Sequence, residues 1–280
     1  MTLFETLKIH TLFDSHAHLA YFSDSDMTNS IENAKKVGLS EVLNMGIDLD
    51  SSIKVIQQAK SSNSYLKAFV GIDPEVFEPG STLFVGLENK EEWVEDQIQK
   101  LKELIDLNKE LVYGIGETGM DYYHFEQSEL DSQTKERSKH LQRVLFNKHL
   151  ELAQEYNMPL SIHSRWAEKE CLEIVKNYNC KGIFHSYTGD YNTAKAILDS
   201  GWSLGVNGIV TFKNANQLRE VYKQILGKVS FDYNPIDFYK KGIYFETDSP
   251  FLSPEGKRGL QNQPSNVVDI YNFFIKYLQT

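Results

Sequence analysis

The chain has 280 residues, of which 41% are hydrophobic and 24% are charged, and its formal net charge at pH 7 is −10. This composition predicts a soluble globular protein, and the acidic balance excludes a broad basic face for nucleic acid. The sequence has no apolar stretch near the roughly 20 residues of a membrane span and no signal-peptide leader, so we expect a cytoplasmic protein with no membrane partner. Its two cysteines, Cys171 and Cys180, are expected to be free thiols.

Short apolar runs that predict β-strands alternate along the chain with longer amphipathic segments that predict helices. The predicted strands are Leu12–Asp14, Glu41–Asn44, Leu66–Ile72, Leu111–Ile115, Leu160–Ile162, Gly182–Phe184, Trp202–Val206 and Gly242–Phe245. The predicted helices are Ser30–Val37, Ser51–Lys60, Glu91–Asn108, Lys135–Tyr156, Glu168–Asn177, Tyr191–Ser200, Asn214–Leu226 and Ser265–Leu278.

Strict alternation of strand and helix favours a parallel sheet, and eight strands favour closing that sheet into a TIM (β/α)8 barrel. A single barrel of this kind typically takes roughly 250 residues. We therefore expect one domain over residues 1–280, with its core at about 11–278. A doubly wound open sheet is the alternative, because strand order is not visible in a sequence.

Side chains of the types that bind metal ions fall just past the ends of the predicted strands. They are His16, His18, Glu117, His163, His185 and Asp248. The carboxyl ends of parallel barrel strands share one rim, so these side chains are expected to converge. His16 and His18 are two residues apart and point the same way if the segment is extended.

Taken singly, each of these residues also has a structural explanation. Glu117 could be a solvated turn residue among glycines, His163 or His185 could be a hydrogen-bonding core residue, and Asp248 could cap the Ser249–Pro250 turn. The joint pattern at successive strand ends favours a metal site. The other histidines fall outside strand ends and are interpreted as surface or helix-packing residues: His10, His124, His140 and His149.

The sequence stretches around these residues resemble those of one family. The stretches are DSHAHL, GIGETGMDYY, MPLSIHSR, FHSYTG, the segment Gly208–Arg219, and ETDSPFLSP, spread over nearly the whole chain. Together they are similar to TatD-family metal-dependent deoxyribonucleases, within the amidohydrolase-like metallohydrolases. The resemblance implies a (β/α)8 barrel that uses two divalent ions, such as Mg, Mn or Zn, to hydrolyse nucleic-acid phosphodiesters, with 3′-to-5′ exonuclease activity and DNA or RNA as partner.

The same resemblance implies a role for each candidate ligand. His16, His18 and Asp248 would hold one ion, His163 and His185 the second, and Glu117 would bridge them. Two ions can activate water, neutralise the phosphodiester and stabilise the leaving oxygen. Glu117 and Asp248 are therefore also the candidate catalytic residues, with Asp248 accepting a proton from the attacking water.

Three further residues are candidates for binding substrate. Arg165 could grip a phosphate oxygen, Lys213 could supply a second cation, and Tyr187 could stack on a base. Packing or a rim ion pair explains these residues equally well. The acidic surface favours single-stranded or short ends over long duplexes. No protein partner is implied.

Two positions depart from the family pattern and bear on substrate preference. Asp73 stands where the family usually has a histidine, in Gly-Ile-Asp-Pro, and Trp166 stands where Asp commonly follows Arg. Two rival functions stay open. A metallohydrolase of a small phosphoester, lactone or cyclic amide would use the same rim, although such enzymes carry a carbamylated lysine where this chain has Glu117. A non-catalytic barrel with vestigial ligands is disfavoured by the presence of all six ligand types.

Overall fold

The computed structural model describes residues 11–78, 81–86, 88–127, 129–230 and 234–280. By their internal contacts these residues fall into two compact units. Unit 1 is the described part of Met1–Asn44 with Ser62–Lys67 and Ile183–Thr280, and unit 2 is the described part of Met45–Ser61 and Ala68–Gly182. His10 lies outside the described residues. That residues 1–280 form one domain stays a prediction.

Eight strands alternate with helices, as predicted. The strands are β1 (Asp14–Ala17), β2 (Val42–Met45), β3 (Leu66–Val70), β4 (Val112–Gly119), β5 (Leu160–His163), β6 (Gly182–Phe184), β7 (Ser203–Val206) and β8 (Ile243–Phe245). They form one sheet in chain order, β1 to β8. The register is parallel in β1–β2, β3–β4, β4–β5, β6–β7 and β7–β8.

The segment that follows β8 lies beside β1, within unit 1. Ala17 forms a parallel bridge with Ser249, the Asp248 amide donates to the His16 carbonyl at 2.9 Å, and the His18 amide donates to the Ser249 carbonyl at 2.7 Å. The end of the sheet thus returns to its beginning. This order of strands is that of the predicted TIM (β/α)8 barrel, and the open doubly wound alternative is wrong.

The helices of the described residues are α1 (Asp24–Lys36), α2 (Leu49–Ser61), α3 (Thr82–Gly86), α4 (Lys90–Leu107), α5 (Tyr123–Gln127), α6 (Ser132–Tyr156), α7 (Glu168–Val175), α8 (Tyr191–Asp199), α9 (Asn216–Leu226), α10 (Pro235–Tyr239) and α11 (Val267–Gln279). Several begin at a polar cap whose side chain accepts an amide hydrogen of the first turn, which satisfies a donor that the helix itself cannot. The caps include Ser23, Asn89, Asp131 and Asp190. No helix among the described residues is long and apolar enough to cross a membrane.

Each unit has its own apolar core. In unit 1, Phe238, Phe245 and Phe274 pack edge to face, with ring centroids 5.3 to 5.7 Å apart. In unit 2, α4 buries Val94, Ile98, Leu101 and Ile105, which recur at helical spacing and so share one face. Both cysteines are buried and free, as expected.

Strand ends differ from the predicted ones at three candidate ligands. His16 lies inside β1, Glu117 inside β4 and His163 inside β5, so the expectation that these residues fall just past a strand is wrong. The apolar run ends earlier than the strand because main-chain hydrogen bonds continue through buried polar residues. His163 is the last residue of β5, and His185 follows β6 directly.

Candidate metal-binding site

His16 and His18 lie on one side of the extended chain at β1, as their spacing predicts. Their Nε2 atoms are 3.0 Å apart, and their rings meet edge to face with centroids 4.8 Å apart. Both side chains are buried, at 0% and 4% exposure. Two imidazole nitrogens of buried side chains thus face one point.

Asp248 and His185 complete this group in unit 1, which we call the first cluster: His16, His18, His185 and Asp248. Asp248 Oδ1 lies 3.3 Å from His18 Nε2 and 3.8 Å from His16 Nε2. The ring of His185 stacks on that of His16, with centroids 3.9 Å apart and an angle of 9° between the ring planes. One ligand atom each from His16, His185 and Asp248 fits within 4.8 Å.

The first cluster stabilises the ionised form of its carboxylate. Burial alone would raise the pKa of Asp248, but the hydrogen bond with His18 and the charges of His16, His18 and His185 hold that pKa below its usual value. A carboxylate beside several imidazole nitrogens is a donor set that suits divalent zinc, manganese or iron. The residues present therefore fit a metal ion.

Two buried acids, Asp14 and Glu246, lie next to the first cluster in the chain, and neither was among the candidate residues predicted from the sequence. Asp14 accepts the Thr247 amide at 2.9 Å and the His16 amide at 3.2 Å. Glu246 accepts the Ser186 amide and, at 3.3 Å, the Ser15 hydroxyl. Burial raises the pKa of Asp14 to about 7 and that of Glu246 well above its usual value.

The alternation of side chains along an extended chain could have identified both acids from the sequence. Asp14 precedes His16 by two residues and Glu246 precedes Asp248 by two, so in extended chain each shares a face with a candidate ligand. Glu246 Oε1 also lies 3.7 Å from His185 Nδ1. Such outer carboxylates orient histidine ligands at metal sites.

Unit 2 holds a second cluster, which we define as Glu117, Asp121 and His163. His163 lies between the two acids, with Nδ1 2.8 Å from Glu117 Oε1 and Nε2 2.7 Å from Asp121 Oδ2. Burial alone would lower the pKa of His163, but its hydrogen bonds with Asp121 and Glu117 raise it well above the usual value. An imidazole flanked by carboxylates on both nitrogens is held in one orientation.

A close approach of β4 to β5 brings these side chains together. The register pairs Gly119 with His163, and the Met120 amide donates to the His163 carbonyl at 3.0 Å. A Cβ atom on Gly119 would lie 2.0 Å from that carbonyl oxygen, and Gly119 has φ +139°, so only glycine fits. The glycine-rich segment is thus explained by strand packing.

Asp121 is the residue of the second cluster that sequence reasoning missed. It is 1% exposed and accepts the Tyr123 amide at 2.8 Å as well as contacting His163. Asp73 lies nearby: burial, and then the charge of Glu117, raise its pKa well above the usual value. The acid that departs from the family pattern is therefore an electrostatic neighbour of Glu117.

The predicted substrate-binding residues occupy different environments. Arg165 is exposed, with its guanidinium carbon 3.4 Å from the centre of the Tyr123 ring. Tyr187 is 2% exposed, and its hydroxyl donates to the Asp190 carbonyl at 2.7 Å. The Lys213 ammonium lies 3.8 Å from Glu255, and its side chain is 90% exposed. Their role in binding substrate stays a prediction.

Comparison with known proteins decides the family. Residues 13–279 match the family described as TatD related DNase. The chain belongs to the TatD-related DNase family. It is 32% identical over 265 residues to an uncharacterized metal-dependent hydrolase of Buchnera aphidicola subsp. Baizongia pistaciae, covering 92% of this chain and 85% of that protein. It is 31% identical to the uncharacterized metal-dependent hydrolase YabD of Bacillus subtilis, covering 91% and 87%.

A solved structure of another protein has a similar fold. The crystal structure of YjjV, a TatD homolog from Escherichia coli K12, superposes with a TM-score of 0.73 at 20% identity, covering 95% of this chain and 90% of that one. That likeness supports the barrel fold. This TatD-family chain is a metal-dependent hydrolase, and its histidine and carboxylate clusters are able to bind metal.

Proposed function

We propose that this TatD-family protein hydrolyses phosphodiester bonds of nucleic acid, with DNA as the usual substrate and removal of nucleotides from the 3′ end. The first cluster carries the proposal, because it packs three imidazoles against one carboxylate whose side chain is 13% exposed. Imidazole nitrogens and a carboxylate oxygen that converge in this way are ligands for a divalent ion. The family match adds the substrate class.

The proposed ligands are the six that the sequence singles out. His16, His18 and Asp248 would hold one divalent ion, His163 and His185 a second, with Glu117 shared. Two bound ions would neutralise charge on the phosphodiester and lower the pKa of bound water.

The protein's own side chains would then orient and exchange protons. Asp121 holds the Nε2 side of His163, and the second nitrogen of that ring is the one that faces Glu117. Asp248 would accept a proton from the attacking water, a role open to an ionised carboxylate at the reaction centre. Glu117, His16 and His18 are buried, which limits the access of bulk water to these side chains.

Arg165 and Lys213 would contact phosphate oxygens, and Tyr187, which is 2% exposed, would line the cleft rather than stack on a base. A net charge of −10 weakens long-range attraction of a polyanion, so the protein should favour short or single-stranded ends over long duplexes. Local cations have to provide the contacts that the surface as a whole does not.

Digestion of 3′- and 5′-labelled DNA, single-stranded and duplex, tests the proposal. Chelator-treated protein is supplied with Mg²⁺, Mn²⁺ or Zn²⁺ and compared with the His163→Ala variant. His140→Ala, which removes a histidine of α6 outside both clusters, is the matched control. A metal-dependent ladder from the 3′ end that His163→Ala loses and His140→Ala keeps supports the proposal. No cleavage with any ion, while small phosphoesters or lactones are hydrolysed, would overturn it.

A further inference from the structure

An exposed group of aromatic and cationic side chains stands beside the second cluster. We call Tyr123, Arg165 and Trp166 the Trp166 platform. The Tyr123 and Trp166 rings meet edge to face with centroids 4.9 Å apart, and the Arg165 guanidinium lies over the Tyr123 ring at 3.4 Å. Trp166 is 52% exposed.

Fold stability does not account for the conformation of Trp166. Its φ is +60°, in the left-handed region that a bulky residue rarely adopts, at a typical cost of about 1–3 kcal/mol. Half of its surface remains in solvent, so burial of the ring offsets little of that cost. By contrast, Trp202 is 3% exposed and packs against Phe184. A strained, exposed tryptophan at a site rim points to a ligand.

Main-chain hydrogen bonds fix the platform relative to the second cluster. The Tyr122 amide donates to the Arg165 carbonyl at 2.9 Å, one step beyond the bond between Met120 and His163. Trp166 follows His163 by three residues, a span of at most about 10 Å. The platform is therefore within one or two nucleotides of any phosphate bound at His163.

Charge alone does not hold a ligand there. The positive charge of Arg165 acts on two neighbouring carboxylates, Asp121 and Glu75, and is partly offset by them. The rings must therefore supply most of the contact energy. Stacking of a base on an aromatic side chain is tolerant of sequence, because every base has a flat π-face.

We propose that the Trp166 platform binds a nucleobase next to the scissile phosphate of a single-stranded end, stacked on Trp166 with Tyr123 and Arg165 holding that ring in place. This inference rests on the proposed nuclease function and names the form of its substrate. Bases in a duplex are already stacked on their neighbours, so the platform selects unpaired ends. The platform does not distinguish between bases, because stacking uses the flat face that every base has.

Steady-state kinetics on a short oligothymidylate, with a divalent ion present, test the platform. Trp166→Ala should raise KM roughly 5- to 150-fold with little change in kcat, because stacking contributes ground-state binding. Trp166→Phe keeps an aromatic ring and should recover most of the loss. Leu107→Ala, which truncates an apolar residue that is 83% exposed at the end of α4, is the matched control.

An oligonucleotide that lacks the base beside the cleaved bond separates stacking from a general structural effect. The wild-type KM for this oligonucleotide should rise by a factor similar to that caused by Trp166→Ala. Trp166→Ala assayed on this oligonucleotide should show no further rise in KM. Independent, additive losses, or a Trp166→Ala KM within about twofold of wild type, would overturn the platform.

Tryptophan fluorescence in the presence of chelator keeps this test distinct from the nuclease test. Oligothymidylate should quench the fluorescence of wild-type protein and not that of Trp166→Phe. If wild type cleaves no nucleic acid yet is quenched, the nuclease proposal fails and the platform stands. If wild type cleaves DNA but is not quenched, the platform fails and the nuclease proposal stands.

Discussion

His149 should make the stability of the protein fall as the solution becomes acidic. This residue of α6 is fully buried; its Nε2 accepts the Ile72 amide at 3.1 Å, and its Nδ1 lies 2.9 Å from the Leu145 carbonyl. Both contacts together require the neutral ring with a proton on Nδ1. Burial lowers the pKa of His149 from 6.5 to about 4.

The sign and size of this pH effect follow from the difference in proton binding between the unfolded and folded protein. Between pH 6.5 and pH 4 the unfolded chain binds a proton at His149 that the folded protein does not, so the free energy of unfolding decreases as pH falls through that window. The pKa difference of about 2.5 units corresponds to roughly 3 kcal/mol. That is a large part of the 5–15 kcal/mol typical of folded proteins. Protonation of His149 Nε2 would also break the hydrogen bond from the Ile72 amide.

Urea unfolding of chelator-treated protein at a series of pH values between 7.5 and 4 measures this effect. The difference in free energy of unfolding between wild type and His149→Gln should shift by roughly 3 kcal/mol across the series, since glutamine does not titrate. His140→Gln, from an exposed position of the same helix, is the matched control. A difference between wild type and His149→Gln that is constant over pH would refute the reasoning.

Three further predictions concern the site. Glu117→Ala and Asp248→Asn should each abolish hydrolysis while circular dichroism shows an intact fold; full activity in either contradicts its role. Asp121→Asn should weaken divalent-ion binding roughly 10- to 100-fold, because a carboxylate that hydrogen-bonds a histidine ligand raises the affinity of that ligand for metal. Calorimetry at pH 8.5 measures this effect, and an unchanged Kd would show that Asp121 does not contribute to metal binding. Arg165→Ala should raise KM for DNA more than it lowers kcat, and an unchanged KM would assign Arg165 to packing alone.

Much of the fold could be predicted because apolar periodicity follows the burial of strands and helices. The eight strands and the long helices lie within about four residues of their predicted bounds, except that α1 begins six residues before its predicted start. Helices α3, α5 and α10 were missed, since five residues are too few to show a helical period. Strand ends at His16 and Glu117 were missed because a buried polar residue breaks the apolar run while main-chain pairing continues.

The sequence pointed to all four histidines of the two clusters but to only some of the acids around them. Histidines at strand ends stand out in a sequence, whereas Asp121 becomes visible only when β5 places His163 beside it. Tyr187 illustrates the converse. An aromatic residue after a strand can face a cleft or the interior, and only the packing shows that its hydroxyl donates to Asp190 inside unit 1.

Metal titration of the chelator-treated protein tests the central claim most directly, because it joins ion binding to hydrolysis in one sample. Bound Mn²⁺ per chain and the rate of DNA hydrolysis are measured at each addition, for wild type and for Asp248→Asn. The account predicts a rate that rises with bound ion and levels off near two ions per chain, with weaker binding and no hydrolysis in the variant. Undiminished hydrolysis by the metal-free protein, or saturation of the ions without hydrolysis of DNA, would contradict it.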